Sequence, residues 1–240
     1  MKRLLIATNN KDKIEELQDL LKDTGIHLVT PADINLELDV IEDGLTYAEN
    51  ATKKAIAFAK ASNLISLADD SGLEVDALDG APGLYSARYG SPDGKKLTDG
   101  ERRKLLIQNL QPFPRPRTAR FKATIAIAIP SRRVTLSREP QTASAAKGLG
   151  QYQSETLRSP KTGSLRVICV EGICEGEIIP KERGTGGFGY DPIFLLQGLG
   201  KTMAELSMDE KNRLSHRAKA VMKTRGVLKS FFVDIRRSLP

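Results

Sequence analysis

Leu64-Ile65-Ser66-Leu67-Ala68-Asp69-Asp70-Ser71-Gly72-Leu73 is the stretch whose reading decides the fold. Leu64 to Ala68 is a short apolar run of the kind that makes a buried strand, and it runs into two adjacent carboxylates. In α/β sheets, ligands gather at the carboxyl ends of strands. Two acids at such an end, followed by Ser71 and a glycine that lets the backbone turn, suit a hard cation such as Mg2+. The same residues also make an ordinary Asp-rich turn that closes a strand.

Upstream of it the chain reads as alternating strands and helices. Arg3 to Ala7 is a first buried strand, Thr8-Asn9-Asn10 a turn, and a helix starts at about Lys11, with Ile14, Leu17, Leu20 and Leu21 at helical spacing and Gly25 closing it. At that junction Thr8, Asn10 and Lys13 could converge with free helix N–H groups on an anion. Plain capping by Thr8 or Asn10, with Lys13 solvated, explains the same residues. After a short strand from Ile26 to Thr30 comes an acidic loop with Glu37, Asp39, Glu42 and Asp43. Thr46-Tyr47-Ala48-Glu49 then reads as a capping box. It opens a helix with Ala48, Ala51, Ala55, Phe58 and Ala59 on one face. Glu49 thus has a structural role, and Lys53 is its i,i+4 partner. Glu42 has no such explanation, so it is the better candidate to join Asp70 on a metal.

Downstream, Leu73 to Leu78 alternates like a strand, Asp79 to Gly83 is a turn cluster, and Lys95 to Leu110 is helical. Phe121 to Ile129 and Leu165 to Cys174 read as the arms of a hairpin whose tip, Ser131 to Ser164, is greatly enlarged. Gly184-Thr185-Gly186-Gly187-Phe188-Gly189-Tyr190-Asp191-Pro192 has too many glycines for helix or central strand. Such a loop lets backbone approach a ligand, with Phe188 offering a flat face to a base, or it serves only as a turn. Gly200-Lys201-Thr202 lacks the upstream glycine of a phosphate-binding loop, since Leu195 stands there. Ser207-Met208-Asp209-Glu210 is another capping box, leading to Ser215-His216-Arg217 and a long apolar stripe. On one continuous helix Lys211 and Arg217 would point about 240° apart. If both meet one ligand, the helix must break between them, with Ser215 capping the final helix.

Composition bounds the classes. The chain has 240 residues, 40% hydrophobic and 28% charged, as in an ordinary soluble domain. No apolar run approaches the roughly 20 residues of a membrane helix. Leu4 to Ala7 is too short for a signal-peptide core. Cys169 and Cys174 are too few for a zinc site or a disulfide framework, which fits a cytoplasmic protein with reduced thiols. The net charge of +7 and a pI near 9.4 raise a nucleic-acid hypothesis. Much of that charge lies in Ser131 to Ser164, where six cations face two glutamates in a stretch of loop-like composition. The rival readings are therefore a nucleic-acid binder using this segment and the final helix, or a nucleotide-binding regulator without turnover.

Together the motifs resemble the Ham1/RdgB family of inosine triphosphate pyrophosphatases. The resemblance rests on Thr8-Asn9-Asn10 with Lys13, Glu42 to Thr46 running into Glu49-Asn50-Ala51, and Ala68 to Leu73. It continues through Gly83 to Tyr89, Gly184 to Pro192, Glu210-Lys211 and Ser215-His216-Arg217. The departures are the 131–164 insertion and Asp12, where the family commonly has glycine. The resemblance implies one domain over 1–240 with an elongated mixed α/β sheet, flanking helices, and two lobes around a central nucleotide cleft. It implies a cytoplasmic homodimer that uses Mg2+ and hydrolyses ITP, dITP and XTP to the monophosphate and pyrophosphate, with no membrane or nucleic-acid partner. By the same resemblance Asp70 is the proton acceptor and a metal ligand, which Glu42 would join by the loop reading above. Substrate would be bound by Thr8, Asn9, Asn10, Lys11, Asp12, Lys13, Ser71, Phe188, Gly189, Tyr190, Asp191, Lys211, His216 and Arg217.

Overall fold

The computed structural model describes residues 3–91, 97–130 and 165–233. The expected insertion at 131–164, with the basic charge it carries, lies outside the described residues. Among the described residues six strands form: β1 (Arg3–Ile6), β2 (His27–Val29), β3 (Ile65–Val75), β4 (Thr118–Ile129), β5 (Arg166–Ile178) and β6 (Phe194–Leu196). They make one mixed sheet in the order β2-β1-β3-β4-β5-β6. β1 runs parallel to β2 and β3, and the other pairs are antiparallel. The expected hairpin is β4 and β5, in register from Thr118↔Glu177 to Ile129↔Arg166.

One expectation is corrected here. β3 does not end at the aspartate pair; Asp69, Asp70, Ser71 and Gly72 lie inside an 11-residue strand. The cause is β4, which pairs with β3 from Ser66 to Val75 and satisfies its backbone along that whole side. On the other side β1 leaves β3 after Ile6↔Leu67. The aspartates therefore sit beside the carboxyl end of β1 rather than at the end of their own strand. Gly72 is not a turn residue either: a Cβ there would come within 2.4 Å of the Gly83 carbonyl and 2.7 Å of the Tyr47 hydroxyl. Close packing explains that glycine.

Helices cover both faces. α1 (Lys11–Leu21) and α5 (His216–Val233) bury Leu17, Leu20, Leu21, Ala218, Val221 and Leu228 against Leu4, Ile6, Leu67, Ile125 and Val170. On the opposite face α2 (Tyr47–Ser62) lays Ala51, Ala55, Phe58 and Ala59 on Leu5, Ala68, Ala126 and Val167. The alanines let this helix approach the sheet closely. A separate core gathers at the far half of β3 to β5, with Leu73, Val75, Phe121, Ile178 and Phe194 of β6 packed with Leu106 of α3 (Asp99–Asn109) and Leu110 just past its end. The long strands thus run from one core into the other, and the aspartate pair lies between them.

The cap of α2 is half as expected. The Thr46 side chain accepts the Glu49 N–H at 3.1 Å, but Glu49 Oε2 accepts from the Leu45 N–H at 2.7 Å, one residue earlier than a capping box requires. Lys53 turns away from Glu49 to Asp43, 2.5 Å off. The box at Ser207 forms in full and starts α4 (Met208–Leu214). Ser215 then adopts extended backbone, breaks the helix, and accepts the Ala218 N–H at 3.1 Å, capping α5. Gly172 lets that helix start sit directly on β5, since a Cβ there would lie 2.1 Å from the His216 carbonyl oxygen.

Candidate active site

Asp69 is the centre of a buried charge cluster. It is fully inaccessible, and its Oδ2 takes Lys13 Nζ at 2.8 Å and Arg217 Nη2 at 3.1 Å. The Ser71 hydroxyl donates to the same oxygen at 3.2 Å and accepts from Arg217 Nη2 at 3.0 Å. Burial alone would raise the Asp69 pKa, but Arg217, Lys13 and Lys54 outweigh it and hold the carboxyl far below the usual carboxylate range. Its other oxygen, Oδ1, is buried without a hydrogen-bond partner.

Glu16 on α1 forms a second node. Lys211 Nζ lies 2.5 Å from its Oε1, and Arg217 Nη1 donates to its Oε2. Against the cost of burial, these two cations bring Glu16 down to about 2. Lys211 also reaches Asp191 Oδ2 at 2.8 Å, where burial outweighs the lysine and pushes the Asp191 carboxyl up. The Phe188 ring covers this node, its centroid 5.4 Å from Lys211 Nζ and 5.7 Å from Arg217 Cζ. His216 stacks on Phe121 with centroids 4.8 Å apart. Burial and then Arg217 push its pKa down to about 3, so its imidazole is neutral at pH 7. Its Nδ1 is buried with no hydrogen-bond partner.

Asp70 faces a different neighbour. Lys54 Nζ lies 3.4 Å from Asp70 Oδ1, 2.9 Å from Glu42 Oε1 and 2.7 Å from the Asp69 carbonyl oxygen. Burial raises the Asp70 pKa, with Lys54 and Lys13 opposing and Glu42 adding to the rise. Burial works against charge on Lys54 too, but Asp70 and Glu42 win and its pKa is raised. A cation therefore already bridges the two carboxylates. Hard oxygens so placed fit Mg2+, which takes one or two carboxylates and completes its shell with phosphates and water. Among the described residues no three His, Cys, Asp or Glu side chains could hold a metal, so the protein's share of such a shell would be this pair.

The remaining expected residues separate into two groups. Asn10 caps α1, its Oδ1 accepting the Lys13 N–H at 3.0 Å, and Thr8 Oγ1 accepts the Asn10 N–H at 3.2 Å. This is the capping arrangement, and it aims Lys13 at Asp69. Asn9 ties to the Leu38 carbonyl at 3.2 Å, while Lys11 and Asp12 are exposed on the first turn of α1. Tyr190 faces the second core and donates to the Ser86 carbonyl at 3.0 Å. Glu16 and Lys54 are cluster members that the sequence reading does not single out, and Asp69, read there as one of two acids suited to a cation such as Mg2+, is instead the ion-pair partner of Lys13 and Arg217. Lys54 carried a signal, since a lysine among Ala51, Ala55 and Phe58 on a buried face needs an anion.

A model of the Ham1 family matches residues 4–147 and 155–226. A dITP/XTP pyrophosphatase of Desulforamulus reducens is 40% identical over 232 residues, spanning 96% of this chain and 98% of the relative. One of Bacillus subtilis is 38% identical over 231 residues, spanning 96% and 98%. A HAM1 protein of Coxiella burnetii superposes with a TM-score of 0.72 at 34% identity, covering 96% of this chain and 100% of that one. The Staphylococcus aureus Ham1 protein gives 0.69 at 33% identity, covering 95% and 99%.

Proposed function

The chain belongs to the Ham1 family, and from that premise we propose that it hydrolyses non-canonical purine nucleoside triphosphates (ITP, dITP and XTP) to the monophosphate and pyrophosphate. The observation that carries this reading is the meeting of two charge systems on one strand: Asp70 with Glu42 and Lys54, and Asp69 with Lys13 and Arg217. One suits a polyphosphate and its metal; the other joins Lys13 to Arg217, whose guanidinium faces Phe188.

Glu42 and Asp70 would hold Mg2+, which when bound neutralises charge on the phosphate oxygens. Asp70 accepts the proton of the attacking water at a carboxylate oxygen, a role that suits a carboxyl whose pKa burial has raised. Lys54, kept charged by its two carboxylates, and Lys13 offer ammonium groups to the triphosphate. The base stacks on Phe188, where Lys211 and Arg217 place positive charge at its oxygen edge. Hypoxanthine and xanthine present a 6-oxo acceptor there, whereas adenine presents an amino group that cannot accept. Thr8, Asn9, Asn10, Lys11 and Asp12 line the approach from the α1 side, and neutral His216 adds a ring N–H. The same reading carries a homodimer working in the cytoplasm.

Pyrophosphate release from ITP, ATP and GTP, with and without Mg2+, tests the proposal. Release mainly from ITP that requires Mg2+ supports it; equal or preferred release from ATP contradicts it.

A further inference from the structure

Among the described residues, α3 contacts the tip of the base-facing loop although it has no other part in the site. Two backbone bonds anchor the base of that loop: Arg183 N–H to the Pro192 carbonyl at 2.9 Å and Gly186 N–H to the Ala204 carbonyl at 3.0 Å. Its tip is held differently. Asp99 Oδ2 accepts the Gly189 N–H at 2.6 Å, and Arg103 Nη1 donates to the Gly189 carbonyl at 2.8 Å. Asp99 and Arg103 are four residues apart, on one face of α3. The N–H belongs to the peptide joining Phe188 to Gly189 and the carbonyl to the peptide joining Gly189 to Tyr190. Both peptide planes flanking Gly189 are thereby pinned, and the first of them is the peptide that follows Phe188.

The clamp is itself braced. Arg103 Nε and Nη2 meet Glu182 Oε1 and Oε2 at 2.9 and 3.0 Å, a two-pronged pair that fixes the guanidinium plane. Hydrogen bonding from Arg103 holds the Glu182 carboxyl below its ordinary range. Arg102 donates to the other oxygen of Asp99. A glycine-rich tip without these bonds has many backbone states, and only some put the Phe188 ring over Lys211 and Arg217.

We propose that Asp99 and Arg103 are positioning residues for base recognition: by holding Gly189 through both of its peptide groups, they set the Phe188 ring against which the purine stacks. This rests on the pyrophosphatase reading above. It predicts that the clamp affects affinity for the base and leaves the phosphate end alone.

The test uses the full chain with Arg103→Ala, Arg103→Lys and Asp99→Ala. Hydrogen exchange of residues 184–191 is measured without ligand, alongside KM and kcat for ITP and inhibition by tripolyphosphate, which has no base. Arg103→Ala and Asp99→Ala should speed exchange in 184–191 alone and raise KM roughly three- to tenfold, the size of one net hydrogen bond, with kcat within about twofold. Tripolyphosphate inhibition should not move, and Arg103→Lys, which keeps one donor, should fall between. Unchanged exchange would overturn the inference alone, and so would a parallel loss of ITP and tripolyphosphate binding. Wild-type protein inert toward ITP would overturn the functional reading and the base-recognition half of this inference together.

Discussion

Lys211 and Arg217 meet on a single carboxylate, Glu16, although one unbroken helix would point them about 240° apart. The break at Ser215 makes this geometry, because it restarts the helix as α5 with a new axis and a new first turn. Sequence spacing requires such a break if both cations are to meet one ligand, and points to Ser215 as the cap of the final helix.

Ser215→Ala should therefore do more than remove a cap. Loss of the Ala218 N–H bond costs about 1 kcal/mol of stability. Because α4 and α5 are then freer to merge, KM for ITP should also rise. Urea unfolding with steady-state kinetics checks both, and an unchanged KM would show that the helix break does not set the cation geometry.

Glu16→Gln leaves two buried cations without their shared counter-charge. Removing one partner of a buried ionic set costs about 3 kcal/mol or more. Equilibrium denaturation should show a loss of this size at pH 7. A change under about 1 kcal/mol would mean that water or Asp191 compensates the pair.

Stability should decline as pH falls below neutral. His216 has its pKa pushed down to about 3 when folded, against an ordinary 6.5, so between those values the unfolded chain binds a proton that the folded chain refuses. Stability then rises with pH across that window, by up to about 1.4 kcal/mol per unit. Glu16, at about 2 rather than 4.5, adds a second loss in the same direction below pH 4.5. A His216→Gln variant should lose the dependence between pH 6.5 and 4.5 and keep, below that, only the part that Glu16 contributes. An identical pH profile in the variant would contradict the assignment.

The two adjacent aspartates should respond oppositely to neutralisation. Asp69 is charged at the benefit of the fold, since its pKa is depressed by Arg217 and Lys13 against burial, so Asp69→Asn should destabilise by about 3 kcal/mol. Burial raises the Asp70 pKa, so its charge opposes folding at neutral pH and Asp70→Asn should leave the melting temperature unchanged or higher. Thermal melts of the two variants at pH 7 decide this, and equal losses would contradict it.

Much of the sheet was legible because buried stretches such as Leu4 to Ile6 and Ile125 to Ile129 are continuous apolar runs. The end of β3 was not, because only its partner β4 makes Asp69 to Gly72 a strand, and that pairing is far away in sequence. Asp70, Glu42, Lys211 and Arg217 stood out by type and by their loops or caps. Glu16 and Lys54 were hidden on helix faces where charges are usually solvated, and only tertiary contact with Arg217 and Asp70 buries them. Asp99 and Arg103 had no local signal at all, since their partner is a peptide group 86 to 90 positions away.

The most direct test of the central claim is ITP turnover by Asp70→Asn, measured as pyrophosphate release beside ITP binding by calorimetry. If Asp70 takes the proton from the attacking water, turnover falls by at least about 100-fold while binding stays within a fewfold of wild type. Turnover within a fewfold of wild type in a folded Asp70→Asn protein would contradict the account.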